Sequence, residues 1–208
     1  MHVHILTVVV AFLGFVYGLP AYGPRSSWLS LPPPSKRAVT CPGTGQKQFL
    51  PTLRTINDPT TDPKMFHVAN TTAVVNQVAT FSNIPATASN FVLWWAQSAS
   101  PPDFRVIGGG TVAVYALDSS KLPRDGALTP QAVDAAVDAG LGIPGTGGRV
   151  GGAAFGGWPA VKTAQDHLVG QLNAGNRAEF SFKLSLEDAS DIWLLQDQQN
   201  GWFLRYDC

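Results

Sequence analysis

The segment AEFSFKLSL (178–186) decides the fold class, because apolar and polar side chains alternate along it. Phe180, Phe182, Leu184 and Leu186 occupy every second position. Successive side chains of a β-strand point to opposite faces of its sheet, so the segment is predicted to be a strand with one face in the core.

Short apolar or alternating runs of the same kind recur on both sides of this segment, separated by turn residues. They read FHVA (66–69), AVVNQVATF (73–81), FVLWWAQ (91–97) and TVAVYAL (111–117). DIWLLQD and GWFLRYD flank the residues QQN near the end of the chain, which predicts a hairpin, whereas KTAQDHLVGQL (162–172) is ambiguous. The spacing predicts an all-β protein, a two-sheet β-sandwich or jelly roll.

One segment has helical spacing, TPQAVDAAVDAG at 129–140. Thr129 suits an N-cap, Pro130 suits the first helical position, and Gly140 suits a terminator, so one short inserted helix is expected over about 129–139. Nine glycines follow within residues 140–157. They favour a mobile connecting loop, since no Lys-Ser/Thr pair completes a phosphate-binding motif.

The first forty residues are typical of an exported precursor. Residues 3–17 are uninterruptedly apolar but too few to span a bilayer, which predicts a signal peptide over 1–18 with cleavage after Gly18. A Pro/Ser-rich segment follows at 19–37 and ends in the dibasic pair Lys36-Arg37, which predicts a propeptide. The mature chain would be a single β-sandwich domain over 38–208, secreted and without a membrane span.

Charge excludes one class of partner. The formal net charge is zero, and removal of Arg25, Lys36 and Arg37 leaves 11 basic against 14 acidic residues. No basic stripe is visible, so a nucleic-acid surface is not expected.

The two cysteines, Cys41 and Cys208, lie near the two ends of the predicted mature chain. In an oxidising compartment they would form one disulfide, worth at most about 5 kcal/mol in the chain-entropy model. Two free thiols or an intermolecular bond are the alternatives.

Aromatic residues give the strongest indication of a ligand. Trp94 and Trp95 are adjacent within a predicted strand, so they point to opposite faces and one of them lies outside the main core. An exposed indole offers a flat apolar surface for a sugar ring, which makes this pair a candidate glycan-binding site. Asn70-Thr71-Thr72 is a sequon, so Asn70 is a candidate glycosylation site.

Catalytic and metal-binding patterns are weaker. No nucleophile elbow is present, so no catalytic residue is predicted, and His67 and His167 are interpreted as structural. Glu187, Asp188 and Asp191 could supply oxygen ligands to calcium, although a solvated turn is the commoner outcome. No metal or cofactor is predicted.

Four segments of the chain together carry a resemblance to a known family. They are TFSNIPATASNFVLWWAQ (80–97), FRVIGGGTVAVYALDS (104–119), LNAGNRAEFSFKLSL (172–186) and GWFLRYDC (201–208). The family that they resemble is a fungal secreted one, the But-two-like carboxy-terminal domain. Members often carry further cysteines in the strand after the I-P turn and just before the A-G pair, where this chain reads FVLWWAQ (91–97) and DHLVGQLNAG (166–175), without cysteine. The resemblance implies a secreted or wall-associated β-sandwich with no established catalytic residues.

These observations favour a secreted, non-catalytic protein of the fungal cell surface or medium that binds glycan or cell-wall polysaccharide. A polysaccharide hydrolase and a host-directed effector are the alternatives. Facing carboxylates in a deep cleft would favour the hydrolase.

Overall fold

A computed structural model describes residues 43–101 and 103–208, which form one compact unit with thirteen β-strands and one α-helix. The strands are β1 Gln46–Phe49, β2 Thr52–Thr55, β3 Met65–Asn70, β4 Val74–Val75, β5 Gln77–Ser82, β6 Ser89–Gln97, β7 Arg105–Ile107, β8 Thr111–Leu117, β9 Arg149–Ala154, β10 Gln165–Gln171, β11 Glu179–Leu186, β12 Asp191–Leu195 and β13 Gly201–Asp207. The helix α1 spans Pro130–Ala135. The predicted signal peptide (1–18), the propeptide (19–37) with Gly18, Lys36 and Arg37, and Cys41 lie outside the described residues.

The strands pair antiparallel in three sheets. Sheet A has the order β1-β13-β6-β10, sheet B has the order β2-β5-β11-β8-β9, and sheet C has the order β4-β3-β12-β7. The prediction of an all-β sandwich with one short helix is confirmed, but the strands divide among three sheets instead of the predicted two. Among the described residues, no helix has the length and apolar character needed to cross a membrane.

The strand that predicted the fold lies at the centre of sheet B. Phe180, Phe182 and Leu184 are at most 1% exposed, and Leu186 packs against the same core at its edge. The core continues into an aromatic cluster around Trp95, whose ring lies 5.1 Å from that of Trp202 and 4.5 Å from that of Phe155. The predicted alternation is therefore confirmed, and it buries one face of β11.

The helix is shorter than its sequence pattern. The Thr129 hydroxyl accepts a hydrogen bond from the Ala132 amide at 3.2 Å, as an N-cap does. The helix ends at Ala135 because Val137 forms a β-bridge with Leu117 and the Asp138 amide donates to the Ala116 carbonyl at 2.9 Å. Pairing with β8 outweighs the local helical preference at this end.

The sequence predicted a mobile connecting loop for the glycine-rich segment, but part of the segment is a strand. Residues Arg149–Ala154 form β9, which pairs with β8 in sheet B. A side-chain carbon at Gly151 would lie 1.9 Å from the Val169 carbonyl oxygen, and one at Gly170 would lie 2.2 Å from that of Val150. Glycine is required here because β9 and β10 approach each other closely, which brings the edges of sheets A and B together.

The predicted hairpin between the last two strands is wrong. β12 pairs with β3 and β7 in sheet C, whereas β13 pairs with β1 and β6 in sheet A. The Asp197 carboxylate accepts hydrogen bonds from the amides of Gln199 and Asn200, and Gly201 has φ of 122°. This turn carries the chain from one sheet to another, because both strands bury their inward faces in the common core.

The two ends of the described domain lie side by side. β1 pairs with β13 from Gln46 opposite Tyr206 to Phe49 opposite Phe203, and the Gly45 amide donates to Asp207 Oδ1 at 2.7 Å. The described residues include no free cysteine. A Cys41–Cys208 disulfide stays a prediction, because Cys41 is outside the described residues.

Candidate functional site

The outer face of sheet A carries a row of apolar side chains that crosses all four strands. Phe49 pairs with Phe203, Phe203 with Trp94, and Trp94 with Leu168. The Phe49 and Phe203 rings stack at 4.7 Å, and the Trp94 and Phe203 rings stack at 6.2 Å. We call these four residues, three of which are aromatic, the aromatic row. Since strands lie about 4.8 Å apart, the row is about 14 Å long, enough for more than one sugar ring.

Trp94 and Trp95 lie on opposite faces of sheet A, as predicted. Trp95 is 1% exposed within the core, so a sugar ring cannot stack on it in this conformation. Trp94 is half-buried at the centre of the aromatic row. Of the two predicted residues, only Trp94 is placed where it could contact a ligand.

A charged pair crosses the aromatic row diagonally. Lys47 Nζ from β1 bonds to Asp166 Oδ2 from β10, at the opposite edge of the sheet, at 2.5 Å. The same Lys47 Nζ lies 4.8 Å from the centre of the Phe203 ring, within the range of a cation–π contact. This arrangement, with the stacked rings on either side, leaves Phe203 only 1% exposed although it points away from the core.

An open groove of about 660 Å³ lies at one end of the strands of sheet A, beside the end of β6 and the start of β10, and meets the row at Phe49. Lys47, Phe49 and Asp166 are shared between the groove lining and the features above. The remaining polar lining includes three exposed amide side chains, Gln165, Gln198 and Gln199, together with Ser98. The groove therefore combines an apolar edge with hydrogen-bonding groups that can both donate and accept.

The two histidines lie in different sheets and bond differently. His67 Nε2 lies 3.2 Å from Asp191 Oδ1, and its ring stacks on Trp193 at 3.5 Å. His167 lies on the inner side of β10 against Trp158, at 4.2 Å between rings. Burial lowers the pKa of both imidazoles, and the nearby carboxylates of Asp191 and Asp166 oppose that shift. The contacts agree with structural roles.

The three clustered acids point to three different partners. Glu187 forms a two-pronged ion pair with Arg149 at 2.6 and 2.9 Å. Asp188 accepts from the Ser190 hydroxyl at 2.6 Å, and Asp191 faces His67. Within the residues that the structure describes, no group of three or more acidic, histidine or cysteine side chains could hold a metal ion.

Asn70 ends β3 at an edge of the core. Its Nδ2 donates to the Asp188 carbonyl at 3.2 Å, and its side chain is half-buried. Glycosylation of Asn70 stays a prediction, and the attached sugar would replace one hydrogen of this amide.

Sequence reasoning found Trp94 but missed the other members of the site. Phe49, Phe203, Leu168, Lys47 and Asp166 come from three strands that are distant in the sequence. Alternation indicates which residues share one face of one strand, but only the register of pairing aligns them across strands. The polar signal QDQQN (196–200) was visible in the sequence, yet nothing there placed it beside Asp166.

Comparison with known proteins adds no family. The sequence matches no family model, and no curated protein shows significant similarity to it. The resemblance to the But-two-like domain therefore stays a prediction.

Proposed function

We propose that this chain is a secreted, non-catalytic protein of the fungal cell surface or medium that binds glycan on the outer face of sheet A. The aromatic row beside an amide-lined groove is the observation that carries the proposal. Phe49, Trp94 and Leu168 are at least partly exposed and supply an apolar surface for the faces of sugar rings. Exposed glutamines supply donors and acceptors for the hydroxyl groups.

The distribution of carboxylates supports binding over hydrolysis. Canonical glycoside hydrolysis needs two carboxyl groups facing each other across the scissile bond. Among the described residues, the groove lining contains one, Asp166, and it is paired with Lys47. A polysaccharide would therefore find a binding surface without a second acid opposite the first.

The apolar residues 3–17 and the pair Lys36-Arg37 support the proposed export and processing. Secreted protein should begin at Ala38 and carry glycan at Asn70, which intact-mass measurement before and after glycosidase treatment would test. A chain that begins at Leu19 would contradict the proposed propeptide.

The decisive experiment is a pull-down of the secreted protein on insoluble polysaccharides, combined with an assay for released sugar. We expect binding without release. Trp94→Ala should weaken binding by about tenfold, because it removes the centre of the row, a loss equivalent to about 1.4 kcal/mol.

Trp193→Ala provides the matched control. Trp193 is also half-buried and also stacks on one ring, that of His67, but it lies in sheet C. It should leave polysaccharide binding unchanged. Equal losses in the two variants would show that the effect does not belong to sheet A, and release of sugar would favour the hydrolase.

A further inference from the structure

We infer that the groove beside the aromatic row takes an uncharged polysaccharide, built of hexose or N-acetylhexosamine units, and discriminates against uronate chains. The inference rests on the proposed function and names the ligand class for the same site. It follows from how charge is distributed along the groove.

The groove lining contains one cation and one anion, Lys47 and Asp166, and they neutralise each other. Arg205, which lies opposite Lys47 on this face, is exposed and does not line the groove. The other polar lining side chains are amides and hydroxyls. An anionic chain would therefore find no unpaired cation among the described residues that line the groove, whereas an uncharged chain requires none.

The charge of the whole domain acts in the same direction. Residues 38–208 contain 11 basic and 14 acidic side chains, so their formal charge is about −3. Long-range attraction would not compensate for the missing cation, because a net negative domain repels a polyanion.

The Lys47–Asp166 pair does not obstruct an uncharged ligand strongly. Both side chains are about two-fifths exposed, at 42% and 41%, and ion pairs this exposed contribute little to stability. A sugar chain can displace the lysine from the Phe203 ring and still accept hydrogen bonds from its ammonium group. The pair thus keeps Lys47 from acting as an anion receptor, while Phe49, Trp94 and Leu168 stay at least partly exposed.

The inference is tested by measuring the affinity of the secreted protein for soluble hexamers of glucose, mannose, N-acetylglucosamine and galacturonate. At least one neutral hexamer should bind about tenfold more tightly than the galacturonate hexamer. Its affinity should change less than about twofold between roughly 50 and 300 mM NaCl, because no net charge is neutralised. A galacturonate hexamer that binds as tightly as every neutral one, or a steep salt dependence, would overturn the inference and leave the proposed function standing.

Absence of binding to any hexamer or to the insoluble polysaccharides would instead defeat the proposed function, and the inference with it. These two failures are distinguishable, since only the first retains glycan binding.

A pair of charge variants tests the role of the ion pair itself. Asp166→Asn frees Lys47 in the groove, so the ratio of galacturonate affinity to neutral affinity should rise about fivefold at low salt. Asp134→Asn is the control, because it frees Lys183 by the same change of charge at a site on α1 and β11. It should leave the ratio unchanged. Equal ratios in the two variants would contradict the assignment.

Discussion

The two faces of sheet A use neighbouring residues for different purposes. On the inner face, Trp95 and Trp202 pack at 5.1 Å among other rings and are each 1% exposed. On the outer face, Trp94 and Phe203 stack at 6.2 Å, beneath a lysine that is 42% exposed. One strand, β6, thus contributes to both a core and a surface site: Trp95 is 1% exposed, whereas Trp94 on the opposite face is half-buried.

The largest difference between the faces should appear in stability. Trp95→Ala removes a fully buried ring and should lower the free energy of unfolding by about 3–5 kcal/mol. For a domain of this size, that is a decrease in melting temperature on the order of 10 °C. Trp94→Ala should cost much less, about 1 kcal/mol, because its ring is half-buried and stacks mainly on Phe203. Thermal unfolding of both variants measures the contrast, and equal losses would mean that Trp94 belongs to the core.

The next effect concerns β13, which serves both faces through Trp202 and Phe203 and precedes Cys208. If Cys208 is bonded to Cys41, Cys208→Ser should destabilise the protein by about 2–4 kcal/mol, since the bond closes almost the whole domain. The fold should remain recognisable by circular dichroism, because the core lies between the two cysteines. Thiol titration is the companion measurement: two reactive thiols in unfolded, unreduced protein would rule out the bond.

The smallest expected effect is a pH dependence of stability that comes from His167 on the inner face of sheet A. On β10, His167 faces inward and Asp166 faces outward, and burial lowers the pKa of the His167 imidazole while Asp166 opposes the shift. An imidazole whose folded-state pKa is lowered stabilises the fold above its unfolded pKa of about 6.5, and this contribution is lost as the pH falls below that value. Unfolding temperatures measured between about pH 7.5 and pH 5 should therefore decrease, and less so in His167→Gln.

Burial also lowers the pKa of the His67 imidazole, in sheet C, so His167→Gln should remove only part of the pH dependence of stability. Asp166→Asn should steepen it, because the carboxylate that favours the charged imidazole is removed. A pH dependence unaffected by either substitution would contradict the placement of His167 on the inner face.

The sequence predicted what depends on a single strand and missed what depends on pairing. Alternation in 178–186 identified the buried face of β11, and adjacency placed Trp94 and Trp95 on opposite faces. The hairpin was wrong because the partners of β12 and β13 lie far away in the sequence.

The candidate site was predictable only in part, for the same physical reason. Trp94 could be selected by its residue type, whereas Lys47 and Asp166 are 119 residues apart and meet only in the folded sheet. Likewise, the helical pattern extended past Ala135, but Val137 instead bridges to Leu117. Non-local pairing decided each of these cases.

The most direct test of the account is to follow the tryptophan indole N–H signals by nuclear magnetic resonance during titration with a neutral hexamer that binds. Residues 38–208 contain five tryptophans, and Trp94→Phe would assign the signal of Trp94. If glycan binds on the outer face of sheet A, the Trp94 signal should shift with saturation while that of Trp193, in sheet C, stays in place. A shift of Trp193 with Trp94 unmoved would contradict glycan binding on the outer face of sheet A.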